Sequence, residues 1–232
     1  MIQLTKINRL LIYIVFSAFC MLPMSPITTV VAADSTVSLS AAATTFQDPD
    51  DIIRRVEVKL NSFQSLSGDF LQLGPDGRIS EGKFVLKRPG KIRFEYTTGE
   101  PLLVVSDGHM LTFVDYDVSQ VTRWPIKDTP LWVLVAQNIS LTEGLRIGPI
   151  VREHGYVKVS VVDPQREEQG SITLVFEQGA LNLRAWEVID AQGLQTRVTI
   201  MNPVYDGDVD KARFDFEDPR PGMNVKHGPR RF

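Results

Sequence analysis

The chain reads as a mainly β protein whose strands curl into a barrel or deep half-barrel beneath two apolar helical covers. Three observations predict this. From Leu66 onward, apolar residues recur with period two in run after run. The runs are joined by short Gly- and Asp-containing turns. Two segments break that period: 48–63 has helical spacing, and 128–145 is apolar without a hairpin turn.

The helix at 48–63, "DPDDIIRRVEVKLNSF", has its start written in the residues. Asp48 can cap, Pro49 suits the first helical position, and Asp50 and Asp51 favour the positive end of the helix dipole. Ile52, Ile53, Val56, Leu60 and Phe63 form one apolar stripe that must lie on something apolar.

The strands follow in order. "GDFLQL", the turn "GPDG" and "GKFVLK" make a hairpin, and "KIRFEYTT" follows Pro89-Gly90. "PLLVVS", "DGHM" and "LTFVDYD" make a second hairpin, with "QVTRW" close behind. Residues Pro130 to Gln137 are expected as a short helix, with a further turn at Ser140 to Gly144. Then come "YVKVSVVD", "SITLVFE", "LNLRAWEVID" and "LQTRVTIM". About ten strands joined by tight turns imply a meandering antiparallel sheet, and that many twisted strands curl.

The N-terminal 33 residues read as a cleaved secretory signal. Lys6 and Arg9 precede the apolar run "LLIYIVFSAFCML", and "VVAA" ends in the small residues a signal peptidase reads. Pro23 and Pro26 interrupt the run before the roughly 18 apolar residues that spanning requires. Residues 34–47 are small and polar and read as a flexible leader, leaving 48–232 as one domain. Cys20 is the only cysteine and falls in the apolar run; bulky Phe19 before it argues against a lipoprotein signal. The mature chain is thus expected to be exported, soluble and thiol-free, stabilised by its core alone.

Charge and motifs narrow the function. Loss of Lys6 and Arg9 lowers Lys+Arg from 25 to 23 against 28 Asp+Glu, moving net charge from −3 to −5. This acidity argues against nucleic acid as a partner. His109, His154 and His227 show no metal-pair spacing, so neither metal nor cofactor is expected. Phosphate-loop, dinucleotide and serine-hydrolase signatures do not occur. Asp115 and Asp117 read as a polar strand end rather than an acid/base pair. Asp206, Asp208, Asp210 and Glu217 have calcium-loop spacing, but Lys211 stands where that loop needs glycine. A solvated loop entering a last strand is the better reading, and no enzyme is expected.

Two features point to a cavity rather than an ordinary core. Aromatic residues are spread over strands and cover alike: Phe84, Phe94, Tyr96, Phe113, Trp124, Trp132, Phe176 and Trp186. Alternation also puts Arg88 on the apolar face of Phe84 and Leu86, where an uncompensated charge costs several kcal/mol.

"GKFVLKRPGKIRFEY", "PLLVVSDGHMLTFVDYDVSQVT", "DTPLWVLVAQN" and "VDKARFDF", in that order between about residues 50 and 220, resemble the outer-membrane lipoprotein carrier protein (LolA) family. The resemblance implies an incomplete antiparallel β-barrel of about ten to eleven strands with an α-helical lid over a hydrophobic cavity. It also implies a periplasmic chaperone carrying acylated lipoproteins from an inner-membrane release complex to an outer-membrane acceptor lipoprotein. The chain is expected to work as a monomer. In the family, the arginine of the K-R-P motif bonds to lid backbone and holds the empty cavity closed; Arg88 matches it. Phe84, Leu86, Phe94, Tyr96, Leu131, Trp132 and Leu134 are the candidates for receiving acyl chains. The basic tail "RPGMNVKHGPRRF" departs from the family pattern, so no acceptor-binding role is carried to it. Rival readings are a lipid- or lipoprotein-sensing module on the same fold, the membrane-tethered acceptor, and a carrier of another lipid.

Overall fold

The computed structural model of the chain describes residues 48–99 and 101–222. The expected signal segment, the leader, Cys20, His227 and the tail from Met223 lie outside the described residues.

Helix α1 (Pro49–Asn61) starts as its residues dictate. The Asp48 carboxylate accepts from the Asp50 N–H at 3.2 Å, and Ile52, Ile53, Val56 and Leu60 are buried. Eleven strands follow: β1 (Ser65–Leu73), β2 (Ile79–Lys87), β3 (Lys91–Tyr96), β4 (Leu102–Asp107), β5 (Met110–Asp115), β6 (Gln120–Pro125), β7 (Arg146–Glu153), β8 (Tyr156–Val162), β9 (Ser171–Glu177), β10 (Leu183–Ile189) and β11 (Gln195–Tyr205). They form one sheet in the order β6-β5-β4-β3-β2-β1-β11-β10-β9-β8-β7. Each neighbouring pair is antiparallel, and the first and last strands meet at β1–β11. The sheet is mainly β and open, because β6 and β7 are unpaired edges.

The cover segment 126–145 joins those two edges. It contains a 3₁₀ turn (Ile126–Asp128) and the single-turn helix α2 (Trp132–Val135). The expected helix at Pro130–Gln137 is therefore shorter, because Ala136 turns to an extended backbone at φ −56°, ψ 150°. Strand β7 was not expected from the sequence. Gly148 and Pro149 interrupt its pattern, and the register shifts between Ile147 and Ile150; an edge strand tolerates both.

Alternation sorts the apolar residues onto two faces. Phe84, Leu86, Phe94, Leu102 and Val104 join α1 and α2 in the main core on the inner face. Val85, Leu103, Val105 and Val114 face outward and are covered by Val209, Phe214 and Phe216. This explains why "LLVVS" is buried throughout. It also corrects the expected last strand: residues after Asp210 form a 3₁₀ turn (Lys211–Phe214) and a strap instead. Phe214 and Phe216 alternate as a strand would, but they are anchors, and Arg93 Nη1 donates to the strap carbonyls of Arg213 and Asp215 at 3.2 and 3.1 Å.

Candidate functional site

Arg88 lies one residue past β2, in the turn to β3 rather than on the strand, yet its side chain still enters the inner face. It is 6 % exposed. Its backbone N–H donates to Gln64 O at 2.9 Å. Gly90 donates to Val135 O of α2 at 2.7 Å. Gly90 has φ +72°, and a Cβ there would lie 2.5 Å from Gly108 O, so only glycine suits this turn.

The guanidinium bridges both helical covers. Nη1 donates to Leu60 O at 2.7 Å and to Phe63 O, and Nε donates to Leu134 O at 3.3 Å. The Phe63 ring lies against the cation, 4.5 Å from Cζ. Leu60 and Phe63 carry carbonyls at the C-terminal end of α1, which lack intrahelical partners and sit at the negative end of the dipole. The helix end thus supplies what the buried cation needs. Nη2 has no hydrogen-bond partner among the described residues. Burial pushes the guanidinium down to about 10, opposed by the charge of Asp206. It stays charged at neutral pH.

A second set of bonds ties the covers to each other. Asn61 Nδ2 donates to Ile139 O at 2.8 Å, and its Oδ1 accepts from Ile139 N–H at 2.9 Å. Glu57 Oε1 accepts from the Leu141 N–H at 2.6 Å. Sequence reasoning missed this pair. Its one signal was two polar residues four apart beside the apolar stripe of α1, which places them on one helix face.

Beneath the cover lies an apolar cavity of about 70 Å³, its walls including Phe94, Tyr96, Val104, Leu111, Leu131 and Trp186. Pockets that hold drug-sized ligands begin near 300 Å³, so the walls as they stand enclose too little space for an acyl chain. Aromatic rings account for much of the filling. Phe84 and Phe94 stack at 5.8 Å, and Trp186 meets both edge-on at 6.3 and 5.9 Å. Phe70 meets Phe94 and Tyr96 edge-on at 5.2 and 5.1 Å.

The seven apolar candidates do not share one position. Phe94, Tyr96 and Leu131 line the cavity. Phe84, Leu86 and Leu134 are buried in the core that surrounds it. Trp132 is outside the cavity lining; its ring lies beside Lys127, whose Nζ is 5.4 Å from the centroid. Trp186 lines the cavity and was read only as part of the general aromatic load; Leu111 also lines it and was missed outright, as was Phe70, which packs behind the Phe94 and Tyr96 rings.

The acidic clusters serve turns. Asp115 Oδ1 accepts from the N–H groups of Asp117 and Val118 at 3.0 and 3.3 Å. Asp206 Oδ1 accepts from those of Gln64 and Ser65 at 2.7 and 3.2 Å. Among the described residues no group of three or more His, Cys, Asp or Glu is placed to hold a metal, and no helix is long and apolar enough to cross a membrane.

An open β-barrel around an apolar pocket, covered by a hydrogen-bonded helical plug, is the architecture of a hydrophobic-ligand binding protein. The comparison with known proteins makes this more particular. Residues 61–217 match the family described as outer membrane lipoprotein carrier protein LolA, and the chain belongs to that family. The outer-membrane lipoprotein carrier protein of Pseudomonas paraeruginosa is 28% identical over 202 residues, 82% of this chain and 95% of the relative. That of Chromohalobacter salexigens is 29% identical over 185 residues, 75% of this chain and 86% of the relative. A solved LolA superfamily protein from Nitrosomonas europaea is 11% identical, with a TM-score of 0.39, covering 70% of this chain and 96% of that one.

Proposed function

We propose that this protein is a periplasmic carrier that shields the acyl chains of lipoproteins and conveys them from an inner-membrane release complex to an outer-membrane acceptor lipoprotein. The observation that carries the reading is the plugged apolar barrel, held by one buried arginine, in a chain of the LolA family.

The chemistry of the task fits the residues. Burial is worth about 0.8 kcal/mol per methylene, so a sixteen-carbon chain held in water forfeits roughly 12 kcal/mol. The carrier must cover that area yet surrender it at the acceptor. Entry of a chain requires the plug to move, because the cavity of about 70 Å³ is too small. Moving the plug breaks the bonds from Arg88 to Leu60, Phe63 and Leu134, and their energy is subtracted from cargo affinity. Arg88 is therefore the lid lock, and Phe94, Tyr96, Leu131 and Trp186 are the first apolar walls a chain would meet. Phe84, Leu86 and Leu134 would be reached once the plug has shifted.

Depletion of the protein in its host tests the role. Acylated lipoproteins should then accumulate in the inner-membrane fraction; an unchanged distribution between the two membranes would contradict the carrier role.

A further inference from the structure

One end of the cavity is polar. Asp190 lies one residue past β10 at the turn to β11, and it lines the cavity with Gln72 and Thr196. β11 runs from Gln195 beside this turn to Tyr205, which pairs near the Arg88 end, so the two charged groups mark opposite ends of the barrel. Asp190 is 5 % exposed. Its Oδ1 caps the turn, accepting from the N–H groups of Gln192 and Leu194 at 2.8 Å each. Its Oδ2 is buried and has no partner among the described residues.

Closing this turn needs one oxygen, which asparagine or serine would supply. The second oxygen is surplus to the fold, and a buried acceptor without a donor is costly. The neighbouring groups do not supply one: the Tyr96 hydroxyl donates to Gln72 Oε1 at 2.8 Å. An unfilled acceptor on a side chain that lines a mostly apolar cavity asks for a donor that arrives with the ligand.

We propose that Asp190 is a head-group site, accepting an N–H donor carried next to the acyl chains of the ligand. This rests on the lipoprotein-carrier reading. Two sources share that chemistry: the α-ammonium of a diacylated N-terminal cysteine and the amide N–H of an N-acylated one. Gln72 and Thr196 flank the same end and supply further polar contacts for the head group. The apolar remainder of the cavity takes the chains, so Asp190 sets the orientation in which they enter.

The test compares dipalmitoylated and tripalmitoylated cysteinyl-serine lipopeptides with methyl palmitate, which has no donor, on wild type and Asp190→Asn. Asparagine keeps the capping oxygen and puts an N–H where the carboxylate oxygen stood. The ratio of lipopeptide to methyl palmitate affinity should fall by about ten- to a hundredfold, the range of one charge-assisted hydrogen bond. A larger fall for the dipalmitoylated probe assigns the ammonium, a larger fall for the tripalmitoylated probe assigns the amide N–H, and equal falls show that either donor fills the site. An unchanged ratio, with lipopeptides still bound by the wild type, overturns the head-group site and leaves the carrier reading standing. Wild type that binds methyl palmitate but neither lipopeptide overturns the carrier reading itself. Should Asp190→Asn fail to fold, Asp190→Ser retains one capping oxygen and gives the same ratio.

Discussion

Replacing Arg88 with leucine removes the lock while keeping an apolar stem in its place. Three carbonyls lose their donor: Leu60 O, Phe63 O and Leu134 O. Hydrogen bonds from a charged group contribute roughly 1.5 to 3 kcal/mol each. Against them stands the cost of burying the cation, which pulls its pKa from the ordinary arginine value down to about 10. At 1.36 kcal/mol per unit, that cost is about 3 kcal/mol. The closed plug is thus favoured through Arg88 by roughly 1.5 to 6 kcal/mol. Apparent affinity scales with the fraction of protein able to bind, so Arg88→Leu should bind lipopeptide at least about tenfold more tightly. Onward transfer to an acceptor should slow in proportion. Titration with a fluorescent lipopeptide, with hydrogen exchange at Gly90 as a monitor of the bond to Val135 O, reads both effects. Unchanged affinity would refute the lock. So would global unfolding of the variant, which would make Arg88 a structural partner only.

Two further substitutions probe the surrounding scaffold. Asn61→Ala removes both bonds to Ile139, worth roughly 1 to 3 kcal/mol together, and should speed amide exchange at Ile139 and its neighbours while the strands stay protected; protection equal to wild type would contradict the tie. Gly82→Ala would place a Cβ 2.1 Å from Glu95 O and 2.7 Å from the Phe70 ring. The backbone must shift, so stability should fall by roughly 1 to 3 kcal/mol, lowering Tm by several degrees in a melt; a wild-type melting point would refute that close approach.

Much of the fold was legible because strands buried on one face write their period into the residues. β2, β3, β8 and β10 each show it. β7 escaped because an edge strand with Gly148-Pro149 and a bulge has little to write. The strap was misread because Phe214 and Phe216 alternate in the same way whether they pair or merely anchor. Arg88 was visible as a charge on the wrong face, but its acceptors are backbone carbonyls, which no side-chain pattern reports. The cavity wall was only partly legible. Alternation says which face a residue occupies, not whether it borders free space; Phe84 and Phe94 are paired directly across β2 and β3, yet only Phe94 lines the cavity. Trp132 and Leu134 differ for another reason: a single turn of helix sends them in different directions. Asp190 hid in an ordinary turn sequence, because only burial reveals that one of its oxygens is unused.

The most direct measurement is native mass spectrometry of the protein purified from the periplasm of cells overproducing a lipoprotein. A one-to-one complex of carrier with acylated lipoprotein, dissociating to the bare protein on addition of the outer-membrane acceptor, is the predicted result. Recovery of the protein free of acylated cargo, or with lipid alone, would contradict the account.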